Sequence, residues 1–261
     1  MMCTKIQYKI TPGYEALKEW VRNLPDYFPD HGTSIFKDRN EVKVFEEAGF
    51  ELNVKAFKLP NLVNRYAYVH LRGSKAARSF QNARRFLDAG ASTPVPVAYV
   101  ECLANGKLRE SFYVSLNDRN DFTLRDVLNN LIPDKQNILV QWVHFTWSHL
   151  HRQGIYHLDY SPGNTLIRKE GDQYHFAVVD LNRMKFIPVG FEQGIQNFRQ
   201  LDTDEETLRL IASEYAALCG KPAEKAINLL LKFDRSNKAY RQRKGNFKRW
   251  IRGEGRKKRE T

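Results

Sequence analysis

The 261-residue sequence predicts an α+β protein in two lobes, strand-rich first and mainly helical afterwards. Three observations carry that expectation. Between Ser34 and Leu116 apolar and polar residues alternate in several short runs, with one helical stretch among them. A polar segment, Leu116-Asn117-Asp118-Arg119-Asn120-Asp121, then reads as a hinge. Beyond it helical periodicity dominates, interrupted by one predicted hairpin. With 42% apolar and 12% aromatic residues the chain has the composition of a globular protein, and its length suffices for a sizeable core.

Residues 1–33 form an N-terminal extension in which Pro12-Gly13, Pro25 and Pro29 limit any element to a short helix around Tyr14–Val21. The first lobe is expected over 34–117. Val42 and Val44 alternate with polar neighbours, and Phe50, Leu52, Val54 and Ala56 share one strand face, so that Lys55 points away from the apolar side. A cleft lysine and a surface lysine are both compatible with that pattern, and Lys58, on the opposite face, is a competitor. Gly73-Ser74 leads into a helix over 75–89 with Ala76, Ala77, Phe80, Ala83, Phe86 and Leu87 at helical spacing and Gly90 at its end. Thr93-Pro94-Val95-Pro96 is extended. Val97–Leu103 and Leu108–Leu116, joined through Asn105-Gly106, read as a hairpin.

The second lobe is expected over 118–235. Thr123–Leu131 is a short helix. A longer one after Pro133-Asp134 carries Leu139, Trp142, Val143, Trp147 and Leu150 on one face until Gly154. Thr203-Asp204-Glu205-Glu206 reads as a capping box, and Pro222 opens a last helix to about Phe233.

Charge is concentrated at the C-terminus. The net charge is +12, and from Lys232 onward six Lys and seven Arg face only Asp234, Glu254 and Glu260, a net of +10. Residues 236–261 are therefore a basic tail on a nearly neutral body. No run approaches the ~18 apolar residues of a membrane span, and the N-terminus lacks a signal-peptide core. Cys3, Cys102 and Cys219 are odd in number, far apart and without a CxxC pair, so reduced thiols are expected and a zinc site is not.

The chemistry gathers at His157-Leu158-Asp159-Tyr160-Ser161-Pro162-Gly163-Asn164 and the later Val178-Val179-Asp180. Thr165-Leu166-Ile167, a turn at Lys169–Asp172 and Phe176–Val179 read as a hairpin that returns Asp180 toward Asn164. Two oxygen ligands would then share a Mg²⁺, with Asp159 left as a base. Asp-x-x-x-x-Asn followed by a later Asp matches the catalytic loop and metal site of phosphoryl-transfer enzymes of the kinase type. Such chemistry needs cations on the phosphates and a carboxylate to orient the attacking hydroxyl. His157 is expected to buttress the loop.

Over roughly residues 34 to 220 the sequence resembles the bacterial lipopolysaccharide core kinases, the Kdo and heptose kinase group. The resemblance lies in Arg39–Lys43, Val54–Lys58, Pro60–Arg65, Ser74–Phe80, Thr93–Pro96, the loop at 157–164 and Asp180–Met184. It implies a protein-kinase-like fold with ATP and Mg²⁺ as cofactors. By resemblance Lys55 binds the ATP phosphates, Asp159 takes the proton from a sugar hydroxyl, and Asn164 and Asp180 bind the metal. The segment near Ser115–Asn117 would meet the adenine, and Arg183 is a candidate for an anionic group. The acceptor the resemblance implies is a lipid-anchored sugar, which would place the protein in the cytoplasm, peripheral to the inner membrane.

Some features depart from the kinase pattern. No GxGxxG lies between Ser34 and Lys55, the Asp180 triplet is Asp-Leu-Asn, and no Ala-Pro-Glu follows. The helix at 75–89 offers Gln81 or Asn82 where a glutamate usually pairs with the lysine, leaving Glu101 as a candidate partner. Competing readings are a kinase acting on a small soluble alcohol or a protein, and a pseudokinase that binds lipid or a partner. In the tail, Phe247, Trp250 and Ile251 among Lys244, Lys248, Arg249 and Arg252 favour an anionic membrane surface over a solvated tail, and nucleic acid ranks last.

Overall fold

The computed structural model describes residues 3–57 and 73–251, with side chains as far as Asn246. Lys58, the Pro60–Arg65 segment, Arg252 and the side chains of Phe247, Trp250 and Ile251 lie outside the described residues. The chain divides into two compact units, residues 1–121 with 165–184, and residues 122–164 with 185–261. Lys55 and Asp180 thus belong to the first unit, Asp159 and Asn164 to the second.

The first unit is built on a six-stranded antiparallel sheet. Its strands are β1 (Lys5–Ile10), β2 (Thr33–Lys37), β3 (Glu41–Glu47), β4 (Phe50–Phe57), β5 (Pro96–Ala104) and β6 (Lys107–Leu116), in the order β1-β5-β6-β4-β3-β2. Ala48-Gly49 and Asn105-Gly106 turn the two tight hairpins, and both residues of each pair have positive φ (49° and 80°, 52° and 69°). That is the primed turn whose twist suits antiparallel strands, and it explains the glycines at 49 and 106.

Leu52 and Val54 of β4 are fully buried, joined by Val97, Ala98, Val100, Phe112 and Val114. Helix α1 (Lys18–Tyr27) covers this face with Val21 and Leu24, and the short turn before it adds Leu17. It runs through Pro25, which the sequence suggested as a break. Pro25 sits near the helix end and is itself buried, so packing outweighs one lost hydrogen bond. Residues 1–33 therefore supply an edge strand and a packed helix. Beyond α1, the buried Lys43 ammonium donates to the carbonyls of Phe28, Pro29 and His31 at 2.7, 3.0 and 3.1 Å. All three of its protons are satisfied, as a buried cation requires.

The expectation of three reduced cysteines is corrected. Cys3 and Cys102 form a disulfide, with Cα atoms 5.6 Å apart. The register Ile6↔Cys102 and the bond from Thr4 N to Leu103 O bring residues 99 apart in sequence side by side. Spacing along the chain carries no trace of that pairing.

Helix α2 (Lys75–Asp88) starts where expected, capped by Ser74, whose Oγ accepts from Ala77 N at 3.0 Å. Its Ala76, Ala77, Phe80, Ala83 and Phe86 are buried. The hairpin expected after Asn164 forms as two antiparallel strands, Thr165–Glu170 and Gln173–Val178.

The second unit is helical. It contains α3 (Leu124–Leu128), α4 (Lys135–Phe145) continued by a π-helical turn Thr146–His151, α5 (Phe191–Asn197), α6 (Glu205–Leu218) and α7 (Ala223–Ile251). Asp204 caps α6 by accepting from Thr207 N at 2.7 Å, and that bond holds its carboxyl well below the usual range. The last helix corrects a boundary. It does not stop near Phe233 but continues to Ile251, so the basic stretch from 236 is helical as far as that residue. Its residues between Lys232 and Lys244 are good helix formers or neutral, with neither Gly nor Pro to end it. Among the described residues no helix is long and apolar enough to cross a membrane.

Candidate active site

In the first unit, strand alternation turns Lys55 to the face opposite Leu52 and Val54, as expected. Its Nζ lies 2.6 Å from Asp180 Oδ1, with only 19% and 25% of the two side chains exposed. The Phe57 ring lies 5.4 Å from the ammonium. The partner sought for Lys55 on the 75–89 helix, or at Glu101, is therefore Asp180 itself. Glu101 instead accepts from Ser74 N at 3.2 Å, at the start of α2.

Helix α2 still reaches this site, by a different route. Asn82 Nδ2 donates to the Leu181 carbonyl at 2.6 Å, and Asn182 Nδ2 donates to Asp180 Oδ1 at 2.6 Å. The turn after Asp180 is thus tied to the helix through its backbone. Asp180 has φ 62°, a left-handed conformation that Asp and Asn adopt far more readily than other side-chain-bearing residues. The register sets Val178 opposite Thr165, the residue after Asn164, and Val178 N donates to Ser92 O at 2.9 Å. Leu116 N and Asn117 N are used by Val95 O and Glu51 O, both at 2.9 Å, so their amides are already bonded within the sheet. Arg183 is exposed.

In the second unit, the strand Ile155–His157 delivers a loop whose consecutive carbonyls are each held by a side-chain amide. Asn197 Nδ2 donates to His157 O at 2.7 Å, Gln200 Nε2 to Leu158 O at 3.2 Å and Asn164 Nδ2 to Asp159 O at 2.8 Å. Asp159 N donates to His157 Nδ1 at 3.0 Å, so the fully buried His157 does buttress the loop. Tyr160, also fully buried, stacks on Trp142 and shares a hydrogen bond with Thr146 Oγ1 at 2.9 Å. Asn164 spends its Nδ2 on the Asp159 carbonyl and keeps its Oδ1 as a hard oxygen donor. An oxygen donor of this kind, like the Asp180 carboxylate of the first unit taken by itself, is of the type that suits Mg²⁺. Asp159 lines a cavity of 510 Å³ in this unit, together with Arg125, Ser161, Gln200, Asp202 and Arg241.

Asn197 and Gln200 were not apparent from the sequence, and neither was the network behind them. His151 Nε2 faces Asn197 Oδ1 at 3.0 Å and His151 Nδ1 faces the Tyr215 hydroxyl at 2.8 Å. Because Asn197 uses its Nδ2 on His157 O, its Oδ1 accepts from Nε2–H, and Tyr215 donates to Nδ1. Burial pushes the His151 imidazole down to about 4, against the opposing influence of the Asn197 bond.

This buried histidine sets a pH dependence. An unfolded chain binds a proton near 6.5 that the folded one refuses until about 4. Stability from this site is therefore complete above 6.5 and is lost as pH falls through the folded value, by about 3 kcal/mol in all. Urea midpoints from pH 7 to 4 should fall accordingly, and His151→Gln should flatten the curve in that window. A wild-type curve equally flat would contradict the buried neutral imidazole.

The geometry can be set beside known proteins. Residues 43–220, more than half of the chain, match the model of the lipopolysaccharide kinase (Kdo/WaaP) family. No curated protein matches. Among solved structures, one of WaaP in complex with acyl carrier protein is similar at a TM-score of 0.59 and 16% identity, covering 89% of this chain and 98% of that one. A Rio2 kinase–ADP/Mg²⁺–phosphoaspartate complex from Chaetomium thermophilum aligns at TM-score 0.47 and 15% identity over 86% of this chain and 69% of that one. WbdD with a kinase inhibitor aligns at 0.45 and 18%, over 84% and 49%. The WaaP likeness shows a protein-kinase-like fold, as the order of sheet and helices led one to expect. With a family match of this extent, the chain belongs to the lipopolysaccharide kinase (Kdo/WaaP) family, ATP-dependent phosphotransferases acting on lipopolysaccharide sugar.

Proposed function

We propose that the protein transfers the γ-phosphoryl group of ATP to a hydroxyl of an inner-core sugar, Kdo or heptose, at the cytoplasmic face of the inner membrane. The observation that carries this reading is Asp159. It stands on a loop fixed by amide bonds to its backbone and faces a cavity of 510 Å³, large enough for a sugar. In this reading Asp159 accepts the hydroxyl proton, and Lys55 holds the ATP phosphates. Asn164 and Asp180 hold Mg²⁺, which when bound would neutralise phosphate charge. The Lys55–Asp180 contact keeps both side chains positioned for those roles. Purified protein with ATP, Mg²⁺ and core lipid should yield phosphorylated core lipid. ATP turnover without transfer to any sugar, or transfer only to a soluble alcohol, would overturn it.

Helix α7 supports the membrane placement. Arg235, Arg243 and Lys244 are exposed and make no ion pair among the described residues, whereas Lys238 and Arg241 are paired with Asp234 and Asp202. Tyr240, 63% exposed, adds an interfacial aromatic. Each basic residue near an anionic surface contributes ~1 kcal/mol. Replacing Arg235, Arg243 and Lys244 by Gln should thus weaken binding to anionic vesicles by roughly 10²-fold, with no binding of either protein to zwitterionic ones. Equal sedimentation of the two proteins would remove the helix from this role. Retention on acyl carrier protein instead of vesicles would assign α7 to the partner seen with WaaP.

A further inference from the structure

We propose that the cavity beside Asp159 is the acceptor pocket and that Arg125 is its specificity residue, receiving a carboxylate or phosphate oxygen carried by the acceptor near the hydroxyl that reacts. This rests on the phosphotransferase reading above and adds the chemistry of the acceptor to it.

The pocket lies within the second unit and holds two cations and two carboxylates, which are not equivalent. Arg241 is paired with Asp202 at 3.1 Å. Asp159 is the base of the proposed reaction. Arg125, exposed on α3, makes no side-chain hydrogen bond or ion pair among the described residues. Its neighbour Asp126 is turned to the helix cap, where it accepts from Thr123 N at 2.8 Å and Thr123 Oγ1 at 2.7 Å. Those two hydrogen bonds, with a smaller contribution from the neighbouring Arg125 charge, hold the Asp126 carboxyl below its usual range and keep it on the cap. The fork of guanidinium donors is thereby left for a ligand, and its geometry suits a carboxylate or phosphate.

Position strengthens the assignment. The guanidinium rests on the loop that presents Asp159, at Gly163. A Cβ there would stand 2.7 Å from Arg125 Nη2 and 3.1 Å from Cζ. Glycine at 163 is what lets the cation lie flat on the loop, and its φ is not of the kind that demands glycine. The pocket is therefore polarised. Asp159 repels an anion from its end, the Arg241–Asp202 pair offsets itself, and Arg125 attracts an anion to its own end. An acceptor with an oxyanion and a hydroxyl would be held in one orientation, hydroxyl toward the base, which is how positioning accelerates a transfer.

The test measures initial rates of the full-length protein with ATP and Mg²⁺ on a lipid-free core oligosaccharide in three forms. These are the parent, one with the octulosonic carboxylate reduced to the alcohol, and one with core phosphates removed. For Arg125→Gln, KM for the parent acceptor should rise on the order of 10–100-fold, the loss expected for a charged hydrogen bond, while KM for ATP stays unchanged. One edited acceptor should cost the wild type the same factor and cost the variant nothing further, because the two changes remove one interaction. Which of the two does so tells carboxylate from phosphate. Gly163→Ala, by displacing the guanidinium, should move the parent KM in the same direction. Equal losses for Arg125→Gln on all three acceptors, or no loss on any, would overturn the inference. A wild type that turns over ATP but phosphorylates none of the three fails at the earlier step, the sugar-kinase reading, and takes this one with it.

Discussion

Asp159→Asn is expected to lower phosphoryl transfer by roughly 10²–10⁴-fold, the range for loss of a general base, with nucleotide affinity nearly intact. The bonds that shape the loop use the main chain of residue 159. Asn164 Nδ2 donates to its carbonyl, and its N–H donates to His157 Nδ1. Asparagine preserves both and matches the carboxylate in size, so the loop persists while the proton acceptor is lost. Steady-state transfer from labelled ATP, with nucleotide binding measured separately, checks the two halves. A variant that transfers at the wild-type rate would remove Asp159 from the role of base.

Asp180→Asn should act on the other half of the chemistry. The substitution leaves the φ of 62° accessible, because asparagine tolerates the left-handed region as aspartate does, but it deletes the charge paired with Lys55 at 2.6 Å. Mg²⁺-dependent nucleotide affinity should fall by ~10²-fold or more, since even an outer-shell residue is worth roughly 10–100-fold in metal affinity. Calorimetry with and without Mg²⁺ separates the metal-dependent part. A Mg²⁺ dependence equal to that of the wild type would exclude Asp180 as a ligand. Asp180→Ala should additionally lose stability, by about 1–2 kcal/mol, for placing a Cβ without a compensating polar group at positive φ.

The two variants probe residues that the sequence singles out without any structure, and the reason is local. Asp159, Asn164 and Asp180 sit on a loop, a turn and a hairpin whose chemistry is written within about two dozen consecutive positions. Lys55 is legible as a face of β4 because strand alternation is local too. What escapes is long-range. A kinase pattern seeks a glutamate on α2 for Lys55, whereas this chain uses Asn82 on the Leu181 carbonyl and leaves Lys55 to Asp180. Carboxamides that hold backbone carbonyls follow no periodicity, so Asn197 and Gln200, some forty residues past the loop, look like ordinary helix polar residues. His151 shows only as one histidine among several on a helix, and its partner Tyr215 lies 64 positions on. Cys3 and Cys102 meet only once β1 is seen on the sheet edge. The end of α7 escapes too: apolar spacing fades after Phe233, yet Lys and Arg are good helix formers and the helix runs on to Ile251.

The central claim is that this protein phosphorylates a lipopolysaccharide core sugar, with Asp159 as base. Mass spectrometry of lipid A–core from cells that carry the wild-type protein, lack it, or carry only Asp159→Asn tests it most directly. The account predicts one phosphate fewer in both the deleted and the Asp159→Asn cells, with full restoration by the wild type. An identical phosphate count in all three would contradict it.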